Sequence, residues 1–452
     1  MTKSKRTDLS GALFMGFALC ILCYFVKSKY ILTLFIGLCF MAFTYFHPMI
    51  GLLSTLFGYI FLPDILSLAF VLGITFMYLF RSFMTGDTIV KPERQERVFF
   101  VFFIYLILST IFSTYVKGSI RDLGIHLGGF CLFIILLTEL KNKERIYSAL
   151  TILSLATTLI ALYGISQYFT GVEIKKEWVD VANNPDLKVR IFSVFGNPNI
   201  FAEYLVLFLP ISVGLFWSAK KDSQKIFYLG QFLIGVIALG LTMSRGGWLG
   251  LMVAAAFFLF FVEKRFFLLA VPIGAFIFYK LPEGILRRIT SIFNFADSST
   301  AYRFKMWEIT GDIIRDYPII GVGLGHLPFK RMFETYIRTM PIYHAHNTFL
   351  EVLAEMGVLG LLLFLILIGN VYYFGTKTLL RNKDPFYQVM GAALLAGFTG
   401  ALFHGMFENL LYLMKITTTF WILMALIFAL GRVALREQEE SKDDGNEEIH
   451  TL

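Results

Sequence analysis

The segment HNTFLEVLAEMGVLGLLLFLILIGN (346–370) begins with a polar cluster and continues, after Glu355, as an almost unbroken apolar run. A helix of this length extends roughly 37 Å at 1.5 Å per residue, which is enough to cross a hydrocarbon core about 30 Å thick. The segment therefore predicts a membrane-spanning helix whose first turn and preceding histidines lie at one membrane surface.

The rest of the chain has the same character. Its 452 residues are 57% hydrophobic and only 16% charged, and the mean hydropathy is +0.70. These values lie outside the range of soluble domains and leave no separate soluble domain, so we predict a single polytopic membrane domain over 1–452. The expected fold is an all-α transmembrane helical bundle of about 12–14 spans. Fourteen candidate spans cover 11–26, 30–46, 49–62, 65–80, 98–116, 123–140, 146–169, 199–218, 226–243, 247–262, 266–280, 346–370, 386–407 and 411–431.

Basic residues orient these spans. If the N-terminus, with Lys3, Lys5 and Arg6, is cytoplasmic, strict alternation places five basic connections on that same side, as the positive-inside rule requires. They are 81–97, 141–145, 220–225, 263–265 and 377–384. The charged tail 433–452 falls there too and is predicted to be disordered. The net charge of +8 thus indicates cytoplasmic loops, and an anionic substrate, rather than nucleic-acid binding.

The first apolar stretch, 11–26, resembles a signal peptide in length. It lacks a small-residue cleavage site and is followed by further spans, so we expect it to be retained. The four cysteines lie inside apolar stretches, where we expect small buried hydrophobic residues rather than disulfides or metal ligands, and the CxxC formed by the first two is read as a coincidence of packing. They are Cys20, Cys23, Cys39 and Cys131.

Two long segments, 170–199 and 281–345, face the extracytoplasmic side in this topology. Within the larger one, TAYRFKMWEITGDIIRDYP (300–318) has apolar residues at helical spacing and predicts an amphipathic helix that ends before Pro318. The apolar positions are Tyr302, Met306, Ile309 and Ile313. We expect this helix along the membrane surface, with Trp307 and the tyrosines at headgroup depth.

Arginines mark candidate functional positions on this side. Arg245, in TMSRGGWLG (242–250), lies between two spans, where an arginine is costly unless it is paired, faces water or extends to the headgroups. Gly246 and Gly247 allow close approach of backbone or ligand, which favours a functional role for Arg245 over an arginine that only extends to the headgroups. Arg303 alone would be an ordinary solvated charge, and its interest lies in sharing a side of the membrane with Arg245 and the histidines.

The polar cluster before the span at 346–370 combines structural and chemical residues. Thr348 and Glu351 form a T-x-x-E capping box that predicts a helix beginning at about Thr348. His346 and Asn347 precede that positive helix end, which favours an anion. An imidazole takes up a proton near neutral pH, and arginines bind phosphate oxygens in pairs. His346, Arg245 and Arg303 therefore outline a transfer site for a phosphate-activated donor, while a hydrogen-bonded interfacial histidine is the alternative.

Other polar residues have weaker claims. His344 could form a zinc site with His346, but no third and fourth ligands appear at a convincing spacing. No DxD motif faces the outside, so we predict neither a metal nor another cofactor. His404 and Glu408 are one helical turn apart, and either orient a substrate or pair with each other.

Four segments together resemble the O-antigen ligase and polymerase superfamily of bacterial integral membrane glycosyltransferases. They are FSVFGNPNIFAEYL (192–205), TMSRGGWLG (242–250), RFKMWEITGDIIRDYPIIGVGLG (303–325) and HAHNTFLEVLAEMGVLG (344–360). The likeness covers about residues 150–370, whereas the first spans match only in hydrophobicity.

The resemblance implies a metal-independent, inverting transfer of a glycan from undecaprenyl diphosphate to an acceptor at the outer face of the cytoplasmic membrane. It assigns the diphosphate to Arg245 and Arg303 and activation of the acceptor to His346. The acceptor stays open, since the family includes lipopolysaccharide ligases, polymerases and protein glycosyltransferases. A transporter of lipid diphosphates is a rival that leaves the His-Asn pair and the long outer loop without a role.

Overall fold

The computed structural model describes residues 28–87, 89–172, 189–266, 279, 298–340 and 342–450. Within these ranges, nine helices are long and apolar enough to cross a membrane. The predicted all-α polytopic fold is confirmed. The expected span 11–26, with Cys20 and Cys23, lies outside the described residues, as does almost all of the span 266–280.

The described helices follow the chain in a simple order. They are α1 (Ser28–Phe46), α2 (Pro48–Gly58), α3 (Asp64–Thr85), α4 (Arg97–Ile111), α5 (Val116–Glu139), α6 (Lys143–Thr170), α7 (Pro198–Ser218), α8 (Asp222–Leu241), α9 (Arg245–Val262), α10 (Ser298–Asp316), α11 (His326–Tyr336), α12 (Thr348–Gly375), α13 (Pro385–His404) and α14 (Met414–His450). A π-helical turn, Thr376–Leu380, extends α12.

Each predicted span within the described ranges falls on a helix, but two of the expected spans are too long. The span predicted at 49–62 corresponds to α2, whose 11 residues extend only about 16 Å. The span predicted at 98–116 ends at Ile111, and Val116 already begins α5. An apolar run does not mark such breaks, because loop residues between buried helices are apolar too.

Helices α7, α13 and α14 form the centre of the bundle. In their most apolar windows 83%, 72% and 94% of the residues are buried, against 22–28% for α3, α8 and α9. The exposed faces of these outer helices carry large apolar side chains, such as Phe76 and Ile237, which suit contact with lipid. Small residues let the central helix α13 and the outer helix α9 approach closely: Gly400 lies against the backbone of Gly250.

Gly129, in α5, packs flat against the indole of Trp421 in α14, and even a Cβ there would overlap the ring. We expect Gly129→Ala to destabilise the protein by about 1–3 kcal/mol, because a rigid buried indole cannot move aside without repacking. The measurement is the midpoint of thermal unfolding in detergent. The matched control is Gly230→Ala in α8, where no described atom lies within 4 Å of the added Cβ. An unchanged midpoint for Gly129→Ala would contradict this packing.

Helix α14 continues into the charged C-terminal segment. It extends from Met414 to His450, and Val433 and Ala434 are buried, while the disorder expected over 433–452 stays a prediction. Ala, Leu, Arg, Gln, Glu and Lys, which dominate the start of this segment, are strong helix formers, so the helix continues past the last apolar turn.

Two helices, α10 and α11, lie within the long polar segment 281–345. The amphipathic helix predicted at 300–318 corresponds to α10, which ends at Asp316, before Pro318. Its apolar face, formed by Met306, Ile309 and Ile313, packs against Phe329, Phe333 and Ala354. This face therefore meets the protein rather than the membrane. Trp307 likewise donates its indole N–H to the carbonyl of Ala345, at 2.9 Å, instead of to headgroups.

Candidate active site

Helix α12 begins at Thr348, as expected, but its cap differs from the predicted capping box. Asn347 is the N-cap, and its side-chain oxygen accepts hydrogen bonds from the N–H groups of Phe349 and Leu350, both at 3.0 Å. Glu351 reaches past the helix start and accepts from the N–H of Ala345. The capping box was therefore wrong, because Asn competes for the same position and is at least as good an N-cap as Thr.

Thr348 does not cap α12 and instead bonds to the segment between α13 and α14. Its hydroxyl donates to the carbonyl of Glu408 and accepts from the N–H of Leu410, both at 3.0 Å. The backbone of Thr348 also donates to the carbonyl of Gly405, at 2.7 Å. These bonds attach the start of α12 to the segment between α13 and α14, 60 residues further along the chain, and so bring Glu408 beside the histidines.

Three residues other than glycine have positive φ within the described ranges: Ser193, Met243 and His346, at 51°, 54° and 47°. Each belongs to a different one of the segments that resemble the glycosyltransferases. Such conformations cost on the order of 1–3 kcal/mol each and cluster at functional sites. At His346 the backbone is held by its own N–H, which donates to Nδ1 of His344 at 3.2 Å.

Glu408 contacts three other side chains of the cluster. Its Oε1 lies 2.9 Å from Nδ1 of His346 and 3.3 Å from Nε2 of His344, while Oε2 accepts from the amide of Asn199 at 3.2 Å. The side chain of Glu408 is 1% exposed and that of His346 27% exposed. The carboxylate is thus sequestered, whereas the His346 imidazole remains accessible to a substrate.

The charges in the cluster follow from this geometry. Burial alone would raise the pKa of Glu408, but the charges of His346 and His344, the hydrogen bond from His346 and the charge of Arg303 together hold it below its usual range. Burial, reinforced by repulsion from His346, lowers the pKa of His344 to about 3. Near neutral pH the cluster therefore contains an ionised Glu408 and an uncharged His344.

The hydrogen bonds also select a tautomer for each histidine. Nδ1 of His344 accepts from the backbone, so its proton lies on Nε2 and points to Glu408. Glu408 has no proton to give, so Nδ1 of His346 must donate. The remaining nitrogen of His346, Nε2, keeps its lone pair and can accept a proton from an acceptor hydroxyl.

The zinc alternative gains a third ligand in the structure, since the donor atoms of His344, His346 and Glu408 lie within 4.8 Å of one another. A metal on Nε2 of His344 would require the proton there to leave, while Nδ1 is already occupied by the N–H of His346. The donor set therefore suits a hydrogen-bond network better than a divalent metal ion.

The two predicted arginines lie on different helices. Arg303, in α10, exerts its charge on His344, His404 and Glu408. Arg245 is the first residue of α9, where Ser244 caps the helix by accepting from the N–H of Gly247 at 3.3 Å. This turn packs against α13.

The glycines after Arg245 allow that packing. A Cβ on Gly246 would lie 2.7 Å from Cδ2 of His404, and one on Gly247 would lie 2.7 Å from Cβ of Ala202. Both glycines are thus needed for helix contact, which places Arg245 beside the end of α13. The structure therefore brings the helix turns bearing Arg245 and His404 together, and Arg303 within electrostatic range of Glu408.

His404 and Glu408 do not pair by a hydrogen bond. The oxygens of Glu408 bond to His346, His344 and Asn199, and Nδ1 of His404 has no hydrogen-bond partner among the described atoms. The one-turn spacing suggested a helical pair, but α13 ends at His404, so Glu408 lies outside the helix and turns toward α12.

Sequence reasoning missed three residues of the site: Arg190, Asn199 and Tyr412. Arg190 is buried and donates to the side chain of Asn199 and to the carbonyl of Thr242, both at 2.9 Å, which extends the network from Glu408. The ring of Tyr412 lies 4.4 Å from that of His344, and burial raises its pKa to about 12. The signal that the sequence offered for Arg190 was an arginine two residues before the segment 192–205, which resembles the glycosyltransferases.

Comparison with known proteins finds relatives of this chain. Residues 230–365 match the family model described as O-antigen ligase. An uncharacterised protein of Haemophilus influenzae is 26% identical over 348 residues, covering 70% of this chain and 80% of its own. The teichuronic acid biosynthesis protein TuaE of Bacillus subtilis is 22% identical, with 76% and 72% covered. An O-antigen ligase of Salmonella typhimurium is also 22% identical, with 65% and 74% covered.

Residues 230–365 therefore resemble the O-antigen ligase family. This similarity supports a function of the polysaccharide ligase or polymerase type in a multi-pass membrane protein. The matched O-antigen ligase segment contains Arg245, Arg303 and His346, whereas Asn199 and Glu408 lie outside it. The candidate site is therefore assembled from the family segment and from residues on both sides of it.

Proposed function

We propose that this protein transfers a glycan from undecaprenyl diphosphate to an acceptor hydroxyl at the outer face of the cytoplasmic membrane. The observation that carries the proposal is the His346–Glu408 hydrogen bond at 2.9 Å, in which a buried carboxylate orients an accessible imidazole. His346 in this pair can act as a general base, and its Nε2 is available for the substrate.

The chemistry is a single displacement. Nε2 of His346 takes the proton of the acceptor hydroxyl as the oxygen attacks the anomeric carbon of the donor sugar. The bond between that carbon and the diphosphate oxygen breaks, and undecaprenyl diphosphate leaves with the electron pair. Attack opposite the leaving group inverts the anomeric configuration. The ionised Glu408 stabilises the positive charge that develops on His346.

Arginines neutralise the leaving group in this proposal. The diphosphate gains negative charge as the bond breaks, and Arg245 and Arg303 supply fixed positive charge with paired donors. No residue of the proposed mechanism requires a metal or another cofactor.

We expect Arg303→Gln and Arg245→Gln each to raise the KM for the lipid-linked donor by about 10- to 100-fold, since a hydrogen bond to a charged group contributes about 1.5–3 kcal/mol. Initial rates of undecaprenyl diphosphate release at varied donor concentration give this value. The matched control is Arg315→Gln, because Arg315 lies on the same helix as Arg303 but is exposed and pairs with Asp312. Donor KM values equal to that of the control would contradict the assignment.

The outer location is supported by the basic connections. Lys143 and Asp384, which belong to two of them, form an ion pair at 2.6 Å at the end of the bundle opposite His346. Arg432, midway along α14, donates to the carbonyl of Lys91 in a third connection at 2.9 Å. Basic residues gathered at one end favour that end as cytoplasmic and the His346 end as extracytoplasmic.

Ligase and polymerase versions of the reaction differ only in the acceptor. The relatives include an O-antigen ligase and a protein of teichuronic acid biosynthesis, so a lipid, a growing glycan and a cell-wall polymer all belong among the acceptors to be tried.

The decisive experiment incubates purified protein with an undecaprenyl diphosphate glycan and candidate acceptors, with product detection by mass spectrometry. We expect an elongated acceptor and stoichiometric release of undecaprenyl diphosphate. Movement of the lipid diphosphate across liposomes, with no release in the presence of any acceptor, would instead favour the transporter.

A further inference from the structure

A polar pocket, separate from the candidate site, lies at the opposite end of the bundle. It has a volume of about 200 Å³ and is lined by Pro48, Tyr78, Arg81, Ser82, Asp87, Ile89, Thr138, Glu139, Lys141 and Arg145. Helix α5 connects the two ends. Asp122, near its start, lies 3.5 Å from His326, whose ring is 5.1 Å from that of Tyr412 beside His344, and Glu139 is its last residue. The helix extends about 26 Å from Asp122 to Glu139, so the pocket is remote from His346.

The charge of the pocket is positive. It contains three basic residues, Arg81, Lys141 and Arg145, and two acidic residues. The acids hold two of the bases in place: Arg145 lies 2.9 Å from the buried Glu139, and Arg81 lies 3.0 Å from Asp87. The ammonium group of Lys141 has no hydrogen-bond or ion-pair partner in the part of the chain that the structure describes, which leaves one positive charge uncompensated.

Helix α2 adds a second, independent contribution. It begins at Pro48, in the pocket wall, and its N-cap, His47, makes no side-chain hydrogen bond to it. The first N–H groups of a helix have no partner within the helix, and together with the macrodipole they favour an anion. A helix N-terminus without a side-chain cap and an uncompensated lysine thus meet in one cavity.

The surroundings of the pocket are apolar and exposed. Phe46 lies two residues before Pro48, and Phe83 and Met84 follow Ser82. Their side chains are 72%, 85% and 59% exposed. These side chains suit the acyl chains of a lipid whose headgroup enters the pocket, and basic pockets between transmembrane helices are known to hold anionic headgroups.

We propose that this pocket binds a phosphate group, carried either by an anionic phospholipid or by a soluble phosphate. Arg81, Arg145 and Lys141 surround the anion, and the start of α2 faces it. The cavity has room for several water-sized groups at roughly 30 Å³ each, which is enough for a phosphodiester. The site is separate from the proposed transfer reaction and does not depend on it.

The test compares wild-type protein with Lys141→Gln and with the double variant Arg81→Gln/Lys141→Gln. Native mass spectrometry in mild detergent measures the retention of phosphatidylglycerol and of phosphatidylcholine. A thermal-shift assay measures inorganic phosphate. The control is Lys91→Gln/Arg94→Gln, which removes two charges from exposed positions on a basic connection at the same end, outside the pocket.

We expect Lys141→Gln to weaken phosphatidylglycerol binding about fivefold and the double variant about 30-fold, since each Lys or Arg near an anionic lipid contributes on the order of 1 kcal/mol. Lys141 is exposed and unpaired, so the single variant tests the site without endangering the fold. Stabilisation by inorganic phosphate that is lost in the variants would identify a soluble phosphate as the ligand.

Three outcomes would overturn the proposal. The first is an equal loss in the Lys91/Arg94 control, because that would be a general effect of surface charge. The second is the absence of any preference for phosphatidylglycerol over phosphatidylcholine, together with no response to inorganic phosphate. The third is unchanged binding in both pocket variants.

Discussion

Replacing His346 with alanine is expected to slow glycan transfer by about 10²- to 10⁴-fold, the usual contribution of a general base, and to leave the protein folded. The imidazole is partly exposed, so its loss creates no large cavity in the core. The arginines that we assign to the donor remain, and donor binding should therefore persist. Single-turnover measurement of undecaprenyl diphosphate release, with product confirmed by mass spectrometry, gives the rate.

The backbone of His346 requires a second variant. Alanine tolerates a φ of 47° less well than asparagine, which populates the left-handed region readily. His346→Asn preserves the backbone and a polar side chain but has no basic nitrogen, so it should be as slow as His346→Ala. The control is His47→Ala, at the opposite end of the bundle, which should transfer normally. Transfer by His346→Asn at the wild-type rate would exclude His346 as the base.

The sequence predicted the fold well, because long apolar runs allow few structures other than membrane helices. It predicted helix ends less well, since α4 and α5 are separated by only a few apolar and small residues. For α10 the helical spacing identified Met306, Ile309 and Ile313 as buried, but not the partner of that face, and Tyr302, expected on the same face, is exposed. Amphipathic periodicity has the same form whether a face meets lipid or another helix, so only the structure assigns Met306 and Ile313 to the protein core.

The candidate site was predictable where local sequence carries the chemistry. Arg245 beside paired glycines, and His346 beside a helix N-terminus, each stand out within ten residues. The role of Glu408 was not, because its partner His346 is 62 residues away and His404, four residues before it, suggested a different pair. Arg190 and Asn199 were not predicted for the same reason, because the hydrogen-bond network through them joins four separate segments.

Replacing Glu408 with glutamine should reduce kcat by about 10²-fold or more, because the orienting carboxylate of a histidine base fixes its tautomer and stabilises its charged form. Glutamine can donate as well as accept. When its amide donates to Nδ1 of His346, the imidazole proton moves to Nε2, and the base is lost. Donor KM should change little, since Arg245 and Arg303 are untouched, and this separation of kcat from KM distinguishes orientation from general damage to the site.

Glu203→Gln provides the matched control for Glu408→Gln. Glu203 is also fully buried, its carboxyl group lies within electrostatic range of Glu408, and its oxygens have no hydrogen-bond partner among the described atoms. Replacing this carboxyl group by an amide should therefore leave kcat within a few-fold of wild type, while thermal unfolding of both variants checks that they remain folded. Equal losses of kcat in the two variants would mean that the reaction responds to any Glu→Gln change near the site. A normal kcat for Glu408→Gln would mean that His346 acts without an orienting partner.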